Sequence, residues 1–295
     1  MSIRAILLDI DGTLIFKGKA IPGAQRALRD LRDAGFLVRL LTNISARGPG
    51  DIAASLRASG FDVEDGTVQS AATACARYVR GCTDLTSHLL VPAAMRPLFA
   101  GVRTSDEEAD LVVICDIGEE FNYVRLNNAF RLLHGGARLV VPHKNLFWYD
   151  DGGPRLDAGA FVLGLEAASG QPALVTGKPS PVFFHTAMDE LGVTADETVV
   201  VGDDVQTDIA GASHLGLHSI LVRTGKGSLQ RPTDYARPEH EIDSIGDLFD
   251  LLNRIGTIDE VSRRQPRRAS PLGGPTQYSS AEPAALRPPN QDGAA

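Results

Sequence analysis

The chain alternates between short apolar runs and stretches with helical periodicity. Residues Ile3 to Leu8 form an apolar segment of strand length, the pattern of a parallel strand buried on both faces, and the run breaks off in Asp9, Asp11, Gly12 and Thr13. Ala24, Ala27, Leu28, Leu31 and Ala34 then share one helical face behind Pro22 and stop at Gly35, predicting an amphipathic crossover helix. A second strand is expected over Phe36 to Leu41, ending in Thr42, Asn43 and Ser45. A short helix follows over Asp51 to Ser59, with Ile52 and Leu56 on one face and Gly60 as its stop.

From about Arg77 to Val175 the alternation continues without acidic strand ends. Strands are expected at Leu89–Val91, Leu111–Cys115, Leu139–Val141 and Leu146–Tyr149, with helices at Tyr123–Leu133 and Ala158–Ala168 and a turn over Asp150–Pro154. Trp148 and Tyr149, lying in an apolar strand, are read as core more readily than as a substrate platform. The first pattern then returns. Gly177, Lys178 and Pro179 precede a helix with Phe184, Ala187, Met188 and Leu191 on one face, and Thr198–Val201 is a β-prone run tipped by Gly202, Asp203 and Asp204, with Asp208 close behind. Ser219–Val222 is the last expected strand, and a helix near Ile245–Ile255 closes the periodic part.

Strands alternating with helices imply an α/β fold with a parallel sheet. The reading is a Rossmann-like core assembled from residues 1–76 and 176–256, a second α/β module inserted at 77–175, and a disordered tail over 257–295. That tail is rich in Pro, Ser, Arg, Gly and Ala and has no hydrophobic period.

Composition narrows the function classes. The 295 residues are 43% apolar, enough for a large core, and the formal net charge of −8 disfavours nucleic acid as a partner. No apolar stretch approaches the roughly 20 residues of a membrane helix, and the amino terminus turns acidic too soon for a signal peptide, so no membrane partner and a cytoplasmic location are expected. The 3 cysteines lack metal-ligand spacing and read as buried free thiols.

Four polar clusters remain: Asp9/Asp11, Thr42/Asn43, Lys178 and Asp203/Asp204/Asp208. Each sits at the end of an expected strand or the start of a helix, and in a parallel sheet such positions converge on one edge. Carboxylates crowded together repel one another and require a cation; oxygen-only ligands favour Mg²⁺ over zinc. The lysine and the short neutral donors suit an anion. Together they describe phosphoryl transfer on a small phosphorylated substrate. Singly, each has a plainer reading as a turn, a helix cap or a surface charge. The Gly225-Lys226 pair lacks the remaining residues of a phosphate-binding P-loop, and no Gly-x-Ser-x-Gly or His-Glu-x-x-His motif occurs.

The segments DIDGT, LLTN, GKPSP and VGDDVQTD resemble, in order and spacing, the four motifs of the haloacid dehalogenase (HAD) superfamily of aspartate-nucleophile phosphatases. The insertion resembles that superfamily's large C2-type α/β cap. The segments GEEFNYVRLNNAFRLLHGGARLV and LDAGAFVLGLEAASG are similar to the branch that holds phospholysine phosphohistidine inorganic pyrophosphate phosphatase and haloacid dehalogenase-like hydrolase domain-containing protein 2. The likeness implies that Asp9 is the nucleophile and Asp11 the general acid and base. It implies that Mg²⁺ is held by Asp9, Asp203 and the backbone carbonyl of Asp11, with Asp204 and Asp208 supporting its waters. Thr42, Asn43 and Lys178 would hold the phosphate, and a homodimer through the cap is an assembly the likeness allows. Serine is expected in that branch where this chain has Asp11. The retained aspartate therefore points to phosphate monoesters of small metabolites ahead of phosphohistidine, phospholysine and inorganic pyrophosphate. Phosphoryl transfer to a second substrate and non-catalytic sensing of a phosphorylated ligand are the rival functions.

Overall fold

The computed structural model of the protein describes residues 3–150 and 152–256; the tail expected over 257–295 lies outside the described residues. Two parallel sheets organise them. The larger sheet is built from β1 (Ala5–Asp9), β4 (Leu37–Thr42), β5 (Val68–Ser70), β13 (Thr198–Gly202), β14 (His218–Val222) and β15 (His240–Ile242), in the spatial order β15-β14-β13-β1-β4-β5. β1 is central: Leu8 lies opposite Leu40 on one side and Val201 on the other. Ile6, Leu7 and Leu8 are all fully buried. Successive side chains take opposite faces. Ile6 and Leu8 pack with helices α1 (Ala24–Asp33), α2 (Pro49–Ala58) and α8 (Leu248–Arg254). Leu7 packs with Phe183 and Phe184 of α6 (Pro181–Leu191) and with α7 (Ala210–Leu215). A two-stranded flap, β2 (Ile15–Phe16) and β3 (Lys19–Ala20), projects just after β1.

The second sheet comprises β6 (Thr86–Leu90), β7 (Arg103–Thr104), β8 (Leu111–Ile114), β9 (Arg138–Val141) and β12 (Leu174–Val175), ordered β12-β9-β8-β6-β7. It too is buried on both faces: Val112, Ile114, Leu139 and Val141 pack on one side, Leu111, Val113 and Val140 on the other. Helix α4 (Tyr123–His134) is capped by Asn122, whose Oδ1 accepts from the Arg125 N–H at 3.1 Å. Helix α5 (Ala158–Ser169) is capped by Asp157. Helix α3 (Ala71–Gly81) runs through the expected junction at residue 77, capped by Ser70 at the end of β5.

Two expectations change. Leu146–Tyr149 does not join the second sheet: β10 (Phe147–Asp150) pairs only with β11 (Gly153–Leu156), as an antiparallel hairpin that occupies part of the expected turn. With no layer over both faces, Trp148 is 43% exposed instead of buried. The short strands β5, β12 and β15 were not legible as apolar runs because two or three residues at a sheet edge carry little periodicity.

Candidate active site

β1, β4 and β13 end together, and α6 starts beside them. Asp9, the last residue of β1, accepts a hydrogen bond through Oδ1 from Lys178 Nζ at 2.5 Å, and the same ammonium donates to Asp208 Oδ1 at 2.6 Å. Asp9, Asp203 and Asp208 each offer a carboxylate oxygen, and these atoms lie within 4.8 Å of one another. All four side chains are buried. Gly12, at φ 91°, makes this convergence feasible, since a Cβ there would fall 1.9 Å from Asp203 Oδ2. Gly202 plays the same part beneath Asp208, whose carboxylate would meet any side chain at that position.

Each expected site residue can be placed. Thr42 Oγ1 accepts from the Ile44 N–H at 3.0 Å, which leaves its hydroxyl proton available to the cavity. Asn43 Oδ1 accepts from the Lys178 N–H at 2.9 Å, and its Nδ2 donates to the Lys178 carbonyl at 3.0 Å. The Asn43 amide thus braces the lysine loop, whereas its place at a strand end had pointed to direct contact with phosphate. Asp208 stands among the converging carboxylates, closer in than expected, and also accepts from the Asp204 N–H at 3.1 Å. The carboxylate of Asp11 is outside that cluster. It projects into the cavity, open to water yet walled by protein.

The titration of these groups follows from burial. Burial raises the pKa of Asp9 against the pull of Lys178, and raises that of Asp203 strongly, helped by Asp9 and Asp208. Asp208 rises to about 7, with burial outweighing Lys178. Burial would lower Lys178, but Asp208 and Asp9 together hold its ammonium above the ordinary lysine range. Asp204 is likewise buried, and Lys226 nonetheless keeps it below the usual carboxylate value. Asp11 is raised by its protein walls, opposed by Arg47, Lys178 and Lys226.

Above this floor lies a cavity of about 530 Å³, bounded by the flap, by β10 and by the ends of the second sheet. Its lining includes residues that carried no motif: Ser45, Arg47, Asp116, His143, Asp157 and Lys226. His143 Nδ1 accepts from the Asn145 N–H at 3.3 Å, so its proton lies on Nε2 and is donated to Ser45 Oγ at 3.0 Å. Ser45 Oγ also accepts from the Asp116 N–H at 3.0 Å, tying the end of β4 to the end of β8. Burial lowers His143 to a pKa of about 4 and raises Asp157, 3.8 Å away, to about 7.

A haloacid dehalogenase-like hydrolase family model matches residues 6–94, and a HAD-hydrolase-like model matches residues 175–248. Human haloacid dehalogenase-like hydrolase domain-containing protein 2 is 39% identical over 225 residues, 76% of this chain and 86% of that protein. The chain belongs to the haloacid dehalogenase-like hydrolases. Within this family, bovine phospholysine phosphohistidine inorganic pyrophosphate phosphatase is 37% identical over 260 residues, 85% of this chain and 94% of its own length. Among solved structures, a 4-nitrophenylphosphatase from Thermotoga maritima superposes with a TM-score of 0.76 at 27% identity, covering 84% of this chain and 97% of that one. A glycerol phosphate phosphatase from Mycobacterium tuberculosis in complex with magnesium gives 0.75 at 25% identity, covering 84% and 76%. The two family models together span the strands of the larger sheet and reach into the second at β6 and β12, and the described architecture is a HAD-type α/β core with a cap. No described helix is long and apolar enough to cross a membrane.

Proposed function

We propose that this HAD hydrolase is a Mg²⁺-dependent phosphohydrolase that acts on phosphate monoesters of small metabolites through an aspartyl-phosphate intermediate. The observation that carries the reading is the meeting of three buried carboxylates within 4.8 Å on the floor of a cavity, beside a lysine that reaches two of them. One lysine against three acids leaves excess negative charge in a low-dielectric site, and Asp9 Oδ2 is buried with no hydrogen-bond partner among the described residues. Those features fit a hard divalent cation with oxygen ligands, held by Asp9 and Asp203, with Asp208 and Asp204 supporting the site. Such an ion would keep Asp9 ionised and draw charge from the phosphoryl oxygens.

The chain's own residues supply the remaining steps. A carboxylate oxygen of Asp9 attacks phosphorus as the bond to the leaving oxygen breaks, and Asp11 passes its proton to that oxygen. The raised pKa of Asp11 suits it to carry a proton. Asp11 then takes a proton from water, whose oxygen attacks phosphorus and restores Asp9. Lys178 and the Thr42 hydroxyl would neutralise the phosphoryl oxygens, with Asn43 fixing the lysine loop. The bovine relative's name makes phosphohistidine, phospholysine and pyrophosphate the second reading. Against it stands Asp11, whose proton matters most for a poorly leaving alkoxide.

The test is phosphate release from a panel of alkyl, aryl and anhydride phosphates, with Mg²⁺ and with excess chelator, coupled to trapping of the phosphorylated residue. Release that requires Mg²⁺ and label on Asp9 support the reading. Full turnover in chelator, or label on another residue, overturns it.

A further inference from the structure

Lys226 occupies a position that no motif marks, and it touches three parts of the molecule. Its backbone N–H donates to Asp203 Oδ2 at 2.7 Å, its Nζ donates to Asp204 Oδ2 at 2.7 Å, and that ammonium stands 5.9 Å from the ring centroid of Phe147 in β10. The loop that carries it cannot drift. A Cβ on Gly225, at φ 48°, would fall 2.1 Å from Asp203 Oδ2 and 2.6 Å from Gly12 Cα, and one on Gly227 would fall 2.1 Å from the Val222 carbonyl oxygen. Thr224 Oγ1 donates to the Gly12 carbonyl and Ser228 Oγ to that of Gly225 at 2.8 Å. The backbone of Lys226 is therefore fixed to the acidic floor, while its side chain reaches the hairpin above.

Phe147 continues the contact outward. Its ring meets Tyr149 edge-on at 5.5 Å, Tyr149 meets Phe16 of the flap at 5.9 Å, and Lys17 Nζ lies 5.6 and 5.8 Å from the Phe16 and Tyr149 rings. A ladder of rings with an ammonium at each end thus joins the floor, the β10–β11 hairpin and the flap.

We propose that Lys226 is a positioning residue that holds the β10–β11 hairpin, through Phe147, at a fixed height over Asp203 and Asp204, so that the wall contacting the leaving group is set by the acidic floor. This rests on the phosphohydrolase reading only for its kinetic readout. The hairpin carries its own reporter, since Trp148 is the single tryptophan of the 295 residues and lines the cavity.

The experiment is a double-mutant cycle of Lys226→Met and Phe147→Leu on the full chain, read by Trp148 emission, by KM and kcat for an aryl phosphate, and by calorimetric Mg²⁺ binding. Either single change should shift Trp148 emission and raise KM about two- to fivefold, the scale of one solvent-exposed cation–ring contact, and the double variant should be no worse than the worse single. Lys226→Arg should restore most of KM. Additive losses, or a Lys226→Met protein with parental emission and KM, would overturn the proposal. So would a Lys226→Met variant changed only in Mg²⁺ affinity, because the residue would then serve the floor alone. If Lys226→Met fails to fold, Phe147→Leu and Lys226→Arg carry the test: parental emission and KM in Phe147→Leu overturn it, and a joint shift in Phe147→Leu that is absent from Lys226→Arg supports it. An inactive parent would defeat the phosphohydrolase reading and leave the emission cycle intact as a test of this one.

Discussion

The two parallel sheets are made the same way, with both faces buried, yet the titratable groups at their ends are given different partners. Under the core sheet, Asp9, Asp203 and Asp208 crowd around a lysine held firmly in its charged form, leaving negative charge that calls for a further cation. At the mouth of the cap, burial is the main cause that lowers His143 to about 4 and raises Asp157 to about 7, and the charge of Lys226 pulls both downward. Burial raises the acids at both ends, Asp208 and Asp157 each to about 7, and the floor differs in bringing a lysine into hydrogen-bond contact with two of its acids.

The strongest way to break this comparison is to remove charge from the floor. Asp9→Asn should lower turnover on the order of 10⁴-fold or more while leaving the melting temperature within a few degrees, since an amide cannot form the covalent intermediate; steady-state kinetics beside a thermal melt would check both halves. Chelation should cause a loss as complete, reversed by Mg²⁺ and poorly by Ca²⁺, whose longer bonds and higher ligand number spoil in-line geometry. Appreciable turnover supported by Ca²⁺ alone would count against Mg²⁺ as the ion these carboxylates would hold.

Asp11 stands between the two regions, and its replacement sharpens the contrast. Asp11→Ser should slow phosphorylation by an alkyl phosphate on the order of 10²–10⁴-fold, the worth of a positioned general acid. Pyrophosphate and aryl phosphates should lose far less, because their leaving groups depart with little protonation. Single-turnover rates read this step directly, and equal losses for both classes would show that Asp11 does not select the substrate.

The smallest effect concerns the cap. His143 falls from its ordinary 6.5 to about 4, so on its own it makes the fold less stable as pH drops below 6.5. Asp157 rises from 3.8 to about 7, so on its own it makes the fold less stable as pH climbs above 3.8, until about 7. Between pH 4 and 6.5 the two slopes oppose each other: folded and unfolded chains each hold one proton on the pair, on Asp157 in the first and on His143 in the second. Asp157→Asn should expose the histidine slope, a loss of about 1.4 kcal/mol per pH unit of acidification relative to the parent. His143→Gln should tilt the other way. Denaturant melts at about pH 5 and pH 6.5, inside the window set by the two shifts, would reveal it, and parallel pH profiles for parent and variants would show that the pair is not neutralised as described.

By itself the sequence determined the core. Largely apolar runs such as Ala5–Leu8 and Val199–Val201 suit burial in a two-sided parallel sheet, which places the polar residues that end them on one edge, and Asp9, Lys178, Asp203 and Asp208 do converge there. Periodicity also fixed the helices, since an amphipathic face such as that of α1 has one buried side whatever surrounds it. Tertiary structure alone decided what depends on the far side of a contact. Asn43 reads as a phosphate donor from its place at a strand end, and only the fold shows that its amide also joins the N–H and the carbonyl of Lys178. Trp148 read as core because its strand is apolar, but a two-stranded hairpin has no second layer to cover it. Lys226, noticed only as part of an incomplete P-loop, and His143 could not be assigned because neither belongs to a complete local pattern: one gains its contacts from Asp203, Asp204 and Phe147, the other from Ser45 and Asp157. Local patterns record how a segment meets water, and only the folded chain records which distant side chains meet one another.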